Sequence, residues 1–214
     1  MQAVSIKNPT LIKTLNWFSD WVFSQDQGVL NNLIKRNEGI DADEACSLEY
    51  LHKLQESPDE RSGFPRHAAG FDMNLTLSSD MPDGWDDIGV ELDKRMIQTL
   101  GVGFNALKMY YPENGYIGWH NNSNCPGHNL VMTYTPPNGS GYFQYQDPLS
   151  KEIIKLEDSE GWTAKAGYFG SHREPDKVIW HSARCYAAPR LTISYVIRDE
   201  WMWEEMVYDI QSDQ

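Results

Sequence analysis

The chain is short of cysteine, of basic charge and of long apolar runs. Its three cysteines, Cys46, Cys125 and Cys185, are odd in number and show no C-x-x-C spacing. That excludes a disulfide framework and a zinc ribbon, and it fits a reducing, cytoplasmic setting. Eighteen Lys and Arg stand against thirty-one Asp and Glu, a net charge of −13, with pI near 4.8. An acidic chain without a Lys/Arg cluster repels polyphosphate, so nucleic acid is not an expected partner. Residues 1–23 contain apolar side chains, but Asn16, Ser19 and Asp20 interrupt them, which does not read as a secretory signal. No run approaches the roughly 20 apolar residues of a membrane span. Internal repeats and low-complexity tracts are also missing.

What is present points to one β-rich domain. The 214 residues suffice for a single packed core with helical decoration. Eight Trp and eleven Tyr suit β-rich packing and aromatic-lined pockets. The first sixty residues carry helical spacing: Leu11, Leu15, Phe18 and Phe23 share one face, Leu30, Leu33 and Ile34 a second, Leu48, Leu51 and Leu54 a third. Gly28 and Gly39 punctuate the series, and Asp41 or Asp43 can cap the third helix. Residues 57–87 turn polar and rich in Pro and Gly, although FDMNLTL (71–77) alternates like a strand. Residues 89–100 predict one more amphipathic helix, ending near Gly101 and Gly103.

Beyond residue 103 the pattern changes. Segments 104–111, 116–119, 128–135, 141–146, 152–156, 161–169, 177–181 and 190–198 are short and rich in aromatic or β-branched residues. Turn chemistry separates them at PENG (112–115), NCPG (124–127), PPNGSG (136–141) and EDSEG (157–161). Eight such strands predict a sandwich or jelly roll. The expected fold is therefore α+β and mainly β, in one domain spanning 1–214. A mostly helical support (1–103) precedes a barrel core (104–198), and an acidic aromatic tail (199–214) forms a short helix.

Chemistry concentrates in the core. His120 and His181 end two β-rich segments, and Arg190 follows in the otherwise apolar strand LTISYVI. Neutral imidazole suits a first-row metal such as Fe(II), and a strand arginine can pair bidentately with a carboxylate. An inward arginine is expensive to bury and calls for an anion. Taken singly, a histidine beside Trp119 or Trp180 reads as packed and hydrogen-bonded. The pair together with the following arginine reads as a metal site with an anionic co-substrate. His128 and His172 fall in polar loops and read as solvated, while His52 and His67 have no partner pattern. The loop 123–127 reads equally as a substrate rim or a tight turn. Arg173, Glu174 and Arg184 flank the second histidine and read as solvated charges. Cys185 has no base partner and is not a nucleophile candidate.

The order of His120, the position two residues on, a long gap, His181 and then Arg190 resembles the 2-oxoglutarate/Fe(II)-dependent dioxygenases. The closest likeness is to small bacterial and phage-type members. The resemblance covers about 104–198 and leaves the first 100 residues outside it. It implies a double-stranded β-helix (jelly roll) with iron held by His120 and His181. It also implies that Arg190, Thr192 and one of Tyr110 or Tyr111 bind the far carboxylate of 2-oxoglutarate. Strand alternation allows only one of the two tyrosines to face inward. The implied activity is an O₂-dependent oxidation, hydroxylation by default and demethylation or halogenation as variants. The expected substrate is a protein side chain or a small molecule.

The sequence departs from the family at Asn122, where Asp or Glu normally completes the ligand set. Three readings stand. Asn122 ligates through its amide oxygen, the third position is filled by water or halide, or the site is degenerate and the chain is a jelly-roll binding or accessory protein without turnover. A cupin-like Zn or Mn protein is a further, weaker alternative.

Overall fold

A computed structural model describes residues 1–36, 39–57, 62–76 and 78–213. Residues 58–61 of the expected polar loop and Leu77 of the expected 71–77 strand lie outside the described residues. In chain order the elements are β1 (Gln2–Val4), α1 (Pro9–Ser24), α2 (Gln27–Asn32), β2 (Lys35–Arg36), α3 (Ala42–Ala45), α4 (Leu48–Gln55) and β3 (Ala68–Asp72). Then follow α5 (Trp85–Leu100), β4 (Asn105–Tyr111), β5 (Tyr116–Asn121), β6 (Gly127–Thr135) and β7 (Gly141–Gln146). The chain closes with β8 (Ile153–Glu157), β9 (Gly161–Phe169), β10 (Trp180–Cys185), β11 (Arg190–Ile197) and α6 (Glu200–Gln211).

The strands pair antiparallel in the order β1-β9-β6-β11-β4-β3-β5-β10-β7-β8, with β2 beside β3. This sheet is nearly closed into a barrel. β3 is its corner: Ala68 and Ala69 pair with β5, whereas Phe71 and Asp72 pair with β4. Gly70 sits between the two halves, and a Cβ there would lie 2.5 Å from the Tyr110 carbonyl oxygen. The corner therefore requires glycine. One wall of the barrel is β9-β6-β11-β4 and the other is β5-β10-β7-β8. Met109, Tyr111, Ile117, Phe143, Phe169 and Ala183 pack between them.

β11 shows how the strand pattern divides the interior. Leu191, Ile193, Tyr195 and Ile197 enter the apolar cluster covered by the helices. Arg190, Thr192, Ser194 and Val196 alternate to the opposite face and line a cavity. The helical cover follows from amphipathic spacing. In α1, Leu11, Leu15, Phe18 and Val22 form one buried stripe, and Asn8 caps the helix by accepting the Leu11 N–H at 2.9 Å. Leu92, Met96 and Leu100 do the same in α5. Each fully buried Leu contributes about 1.5–3 kcal/mol, so these stripes fix the helices on the wall that carries Arg190.

Several expectations shift. The mostly helical region 1–103 also contributes strands, β1, β2 and β3, to the sheet. The expected 71–77 strand runs instead over 68–72 and stops where Asp72 turns the chain, its Oδ1 accepting the Asn74 N–H at 3.0 Å. The expected 177–181 strand begins only at Trp180, because Pro175 opens a 3₁₀ turn over 175–177. The helix carrying Leu48, Leu51 and Leu54 is α4, and it is capped by Ser47 through the Tyr50 N–H. Asp41 caps the short α3 before it through the Glu44 N–H, and Asp43 pairs with Arg184. The tail is the expected helix, capped by Asp199, with Met206 and Ile210 buried but Trp201 exposed. Among the described residues no helix is long and apolar enough to cross a membrane.

Candidate active site

His120 is the penultimate residue of β5 and His181 the second residue of β10, and the register sets them directly opposite each other. Their ring centroids are 4.1 Å apart. Both are buried, and Phe143 and Phe169 lie against His181 at 5.5 and 4.8 Å. His120 Nδ1 lies 2.8 Å from the Gly118 carbonyl oxygen, and His181 Nδ1 lies 3.1 Å from that of Ile179. A carbonyl only accepts, so Nδ1 carries the proton in each ring and Nε2 keeps the lone pair. Burial lowers the pKa of His120 to about 4, against the raising effect of the Gly118 and His181 carbonyls. Burial, then the neighbouring His120, holds His181 well below its usual value. Two neutral imidazoles, each oriented by a backbone acceptor, have the protonation that metal ligation requires.

Asn122 follows the end of β5, is half-buried and lines the same cavity. Among the described residues no group of three or more His, Cys, Asp or Glu side chains converges to hold a metal. Asn122 brings a neutral amide, not a carboxylate, to this cavity.

Arg190 and Thr192 lie on the opposite wall of this cavity, whose volume is about 350 Å³. Arg190 is 2% exposed. The anion expected for it is partly supplied by the protein: Nε donates to Asp158 Oδ2 at 2.9 Å. Lys165 Nζ donates to the other oxygen of the same carboxylate at 2.6 Å. Burial pushes the Asp158 pKa up, but Arg190 and Lys165 outweigh it and hold the group below 3.8. Two cations therefore share one buried anion, leaving one positive charge on this wall. Hydroxyls surround it, with Arg190 Nη2 donating to Thr133 at 3.3 Å and Thr133 facing Thr192 at 3.4 Å.

The two tyrosines separate as alternation requires. Tyr111 lines the cavity, with the Arg190 guanidinium 5.3 Å from its ring centre. Tyr110 faces the helices, stacks on Phe71 and donates its hydroxyl to Gln27 Oε1 at 2.8 Å. It is therefore remote from the cavity. In the loop after β5, Asn124 and Cys125 belong to the rim. His128 is not merely solvated, since it packs between Tyr168 and Trp203. Glu174 is tied to Lys177, Tyr168 and Ser171.

Asp158 and Lys165 are the residues that the sequence reading passes over. EDSEG reads as a turn, and Lys165 reads as one polar residue in a strand. The available signal was Lys165 itself, a cation between Ala164 and Ala166 on a buried strand. Gly141 makes room for the carboxylate, because a Cβ there would lie 3.1 Å from Asp158 Oδ2 and 2.6 Å from the Arg184 carbonyl oxygen.

No family model matches the sequence, and no curated protein matches it. Among solved structures, a Pseudomonas putida prolyl-4-hydroxylase aligns at 11% identity over 92% of both chains, with a TM-score of 0.42. OsALKBH1 aligns at 12% identity over 70% of this chain and 91% of that one, with a TM-score of 0.32. A Bacillus thuringiensis Cry1Da tryptic core variant aligns at 11% identity over 42% of this chain and 18% of that one, with a TM-score of 0.27. Similarity this low carries no functional weight, and the chemistry rests on the cavity.

Proposed function

We propose that the chain is a 2-oxoglutarate- and Fe(II)-dependent oxygenase on a double-stranded β-helix, acting on a C–H bond of a protein side chain or small molecule. The observation that carries this reading is one cavity with two parts. Two buried neutral imidazoles stand on one wall, and a wall with one excess positive charge faces them. The strand order agrees with it, since the walls β9-β6-β11-β4 and β5-β10-β7-β8 interleave as a jelly roll does.

The residues present fit the implied groups. His120 and His181, their ring centroids 4.1 Å apart, would be the residues that hold the ion. Asn122 offers its amide oxygen as a third donor. Arg190, Thr192 and Tyr111 offer a guanidinium, a hydroxyl and a phenol to the far carboxylate of the oxoacid. Lys165 supplies the extra charge that makes a second anion welcome beside Asp158. Phe143 and Phe169 keep water from the histidines, which strengthens every polar contact there. When bound, iron with 2-oxoglutarate and O₂ supplies C–H oxidation coupled to release of succinate and CO₂.

The test is an anaerobic titration of Fe(II) and 2-oxoglutarate into metal-free protein, followed in the visible spectrum. A metal-to-ligand charge-transfer band that vanishes in His181→Ala and Arg190→Ala supports the reading; no band at saturating iron overturns it. Asn122 favours a second reading, a binding protein that keeps the pocket without turnover. If Asn122→Asp releases succinate in an iron-dependent way and the parent does not, the second reading holds.

A further inference from the structure

Asp72 lines the same cavity but takes no part in the site described above. It ends β3, where Phe71 points into the helix-covered core, so alternation turns Asp72 to the cavity side. The residue is 8% exposed. Oδ1 accepts the Asn74 N–H at 3.0 Å and, more weakly, the Lys108 N–H at 3.4 Å. Among the described residues no other hydrogen bond and no ion pair reaches this carboxylate. Lys108, whose backbone adjoins it, sends its ammonium away to Asp93 at 2.7 Å and to Asn74 Oδ1 at 3.3 Å.

A carboxylate largely withdrawn from water with one oxygen unpartnered is costly to charge, and most proteins either pair it or neutralise it. Here burial raises its pKa, opposed by the two backbone N–H groups and Lys108. The Asx turn uses one oxygen only. The other faces space that a ligand can occupy.

The cavity mouth supplies a second, independent pointer. Phe64, Leu75 and Phe104 are 47%, 66% and 48% exposed, and all three line the opening. Large apolar side chains held open to water around a mouth suit an apolar stem passing between them. The register then places the carboxylate: Asp72 pairs with Met109, and Met109 with Thr192. Asp72, at the β3 corner beside that wall, thus lies two strand spacings, about 10 Å, from Thr192. An entering ligand meets an apolar collar first and a lone anion inside. The chain's net charge of −13 draws cations toward it.

We propose that Asp72 binds the cationic end of the substrate, an alkylammonium or guanidinium group on an apolar stem. The placement of an oxidised carbon along that stem rests on the oxygenase reading, whereas the cation site stands without it.

Calorimetric titration of the metal-free full chain tests this with butylammonium and butylguanidinium, against 1-pentanol and pentanoate of similar length. Nα-acetyl-lysine and Nα-acetyl-arginine N-methylamides form a second arm. The cations should bind, and pentanol should bind at least about tenfold more weakly, as for a charge-assisted hydrogen bond. Pentanoate, which the Arg190 wall can take, should be no weaker in Asp72→Asn. Asp72→Asn, which keeps Oδ1 for the turn, should weaken the cations about tenfold or more and leave pentanol unchanged. Phe104→Ser at the rim should weaken cations and pentanol alike. Tighter binding of the free amines assigns a small-molecule source, and tighter binding of the capped residues a peptide side chain; either supports the site. Cation affinity that survives in Asp72→Asn, or pentanol binding as well as butylammonium, overturns it. Because no metal is used, cation binding without a charge-transfer band would sink the oxygenase reading alone.

Discussion

Asp158→Asn is the substitution that most directly probes the buried charge wall. The carboxylate is fully enclosed and holds Lys165 at 2.6 Å and Arg190 at 2.9 Å. An amide of the same shape keeps the volume but removes the charge, leaving two buried cations with no anion between them. Breaking a buried pair by removing one partner typically destabilises by about 3–5 kcal/mol. Here one carboxylate serves two partners, so the loss should reach at least the lower end. That is a large share of the roughly 5–15 kcal/mol by which a domain is stable. With a urea dependence of about 2–3 kcal/mol per molar, the unfolding midpoint should fall by roughly 1–2 M. Tryptophan fluorescence reports the transition. Lys165→Met in the same background should restore much of the loss, because it returns the wall to a single excess charge, and the two changes should be strongly non-additive. The pH dependence has a definite sign. A carboxylate held below 3.8 in the folded state contributes stability that is full above that value and is lost as pH falls through the folded pKa. The gap between parent and variant should therefore be flat from pH 5 to 8 and close only in stronger acid. A loss under about 1 kcal/mol, or a double variant as unstable as Asp158→Asn alone, would refute the account of this wall.

The histidine pair makes the metal-free protein acid-sensitive in a different window. Their folded pKa values are depressed, so the unfolded chain takes up protons below 6.5 that the folded chain refuses until about 4 at His120. From pH 6.5 to 5 this removes about 2 kcal/mol through His120 alone, and a His120→Gln/His181→Gln variant should show a flatter profile in denaturant titrations. Tyr111→Phe should weaken 2-oxoglutarate binding roughly threefold to tenfold by calorimetry. Tyr110→Phe should leave that affinity unchanged and lose about 1 kcal/mol of stability with the Gln27 hydrogen bond. Equal effects from the two would contradict the assignment of Tyr111 to the cavity. Gly141→Ala should destabilise by about 1–3 kcal/mol, read as a lowered Tm, because its Cβ meets the Arg184 carbonyl oxygen at 2.6 Å.

The strands after residue 103 were legible because period-2 alternation and turn residues are local signals. β11 shows this directly: the apolar Leu191, Ile193 and Tyr195 and the polar Arg190, Thr192 and Ser194 separate in the sequence as they do in space. The facing of His120 and His181 was legible only as an order of residue types. Their register depends on β10 starting at Trp180, and Pro175 shifted that start by three residues from the expected strand. β1 and β2 were not legible, since strands of three and two residues carry too few alternations to read. β3 was misplaced because its five residues, AAGFD, are buried throughout and show no alternation.

The charge wall failed to show for a related reason. Asp158 lies in a loop whose composition, EDSEG, is that of any solvated turn, and only the β7–β8 pairing carries it inward, where its N–H meets the Gly141 carbonyl at 2.9 Å. From the sequence alone, Arg190 calls for an anion that no neighbouring residue in the chain supplies. The fold supplies one anion and two cations, which changes what the arginine implies. Paired with Asp158 alone, it would be satisfied and would say nothing about a ligand. Lys165 is the residue that leaves the wall one charge in excess. The case for an anionic co-substrate thus rests on a lysine two strands away from the arginine, across β6, as much as on the arginine itself.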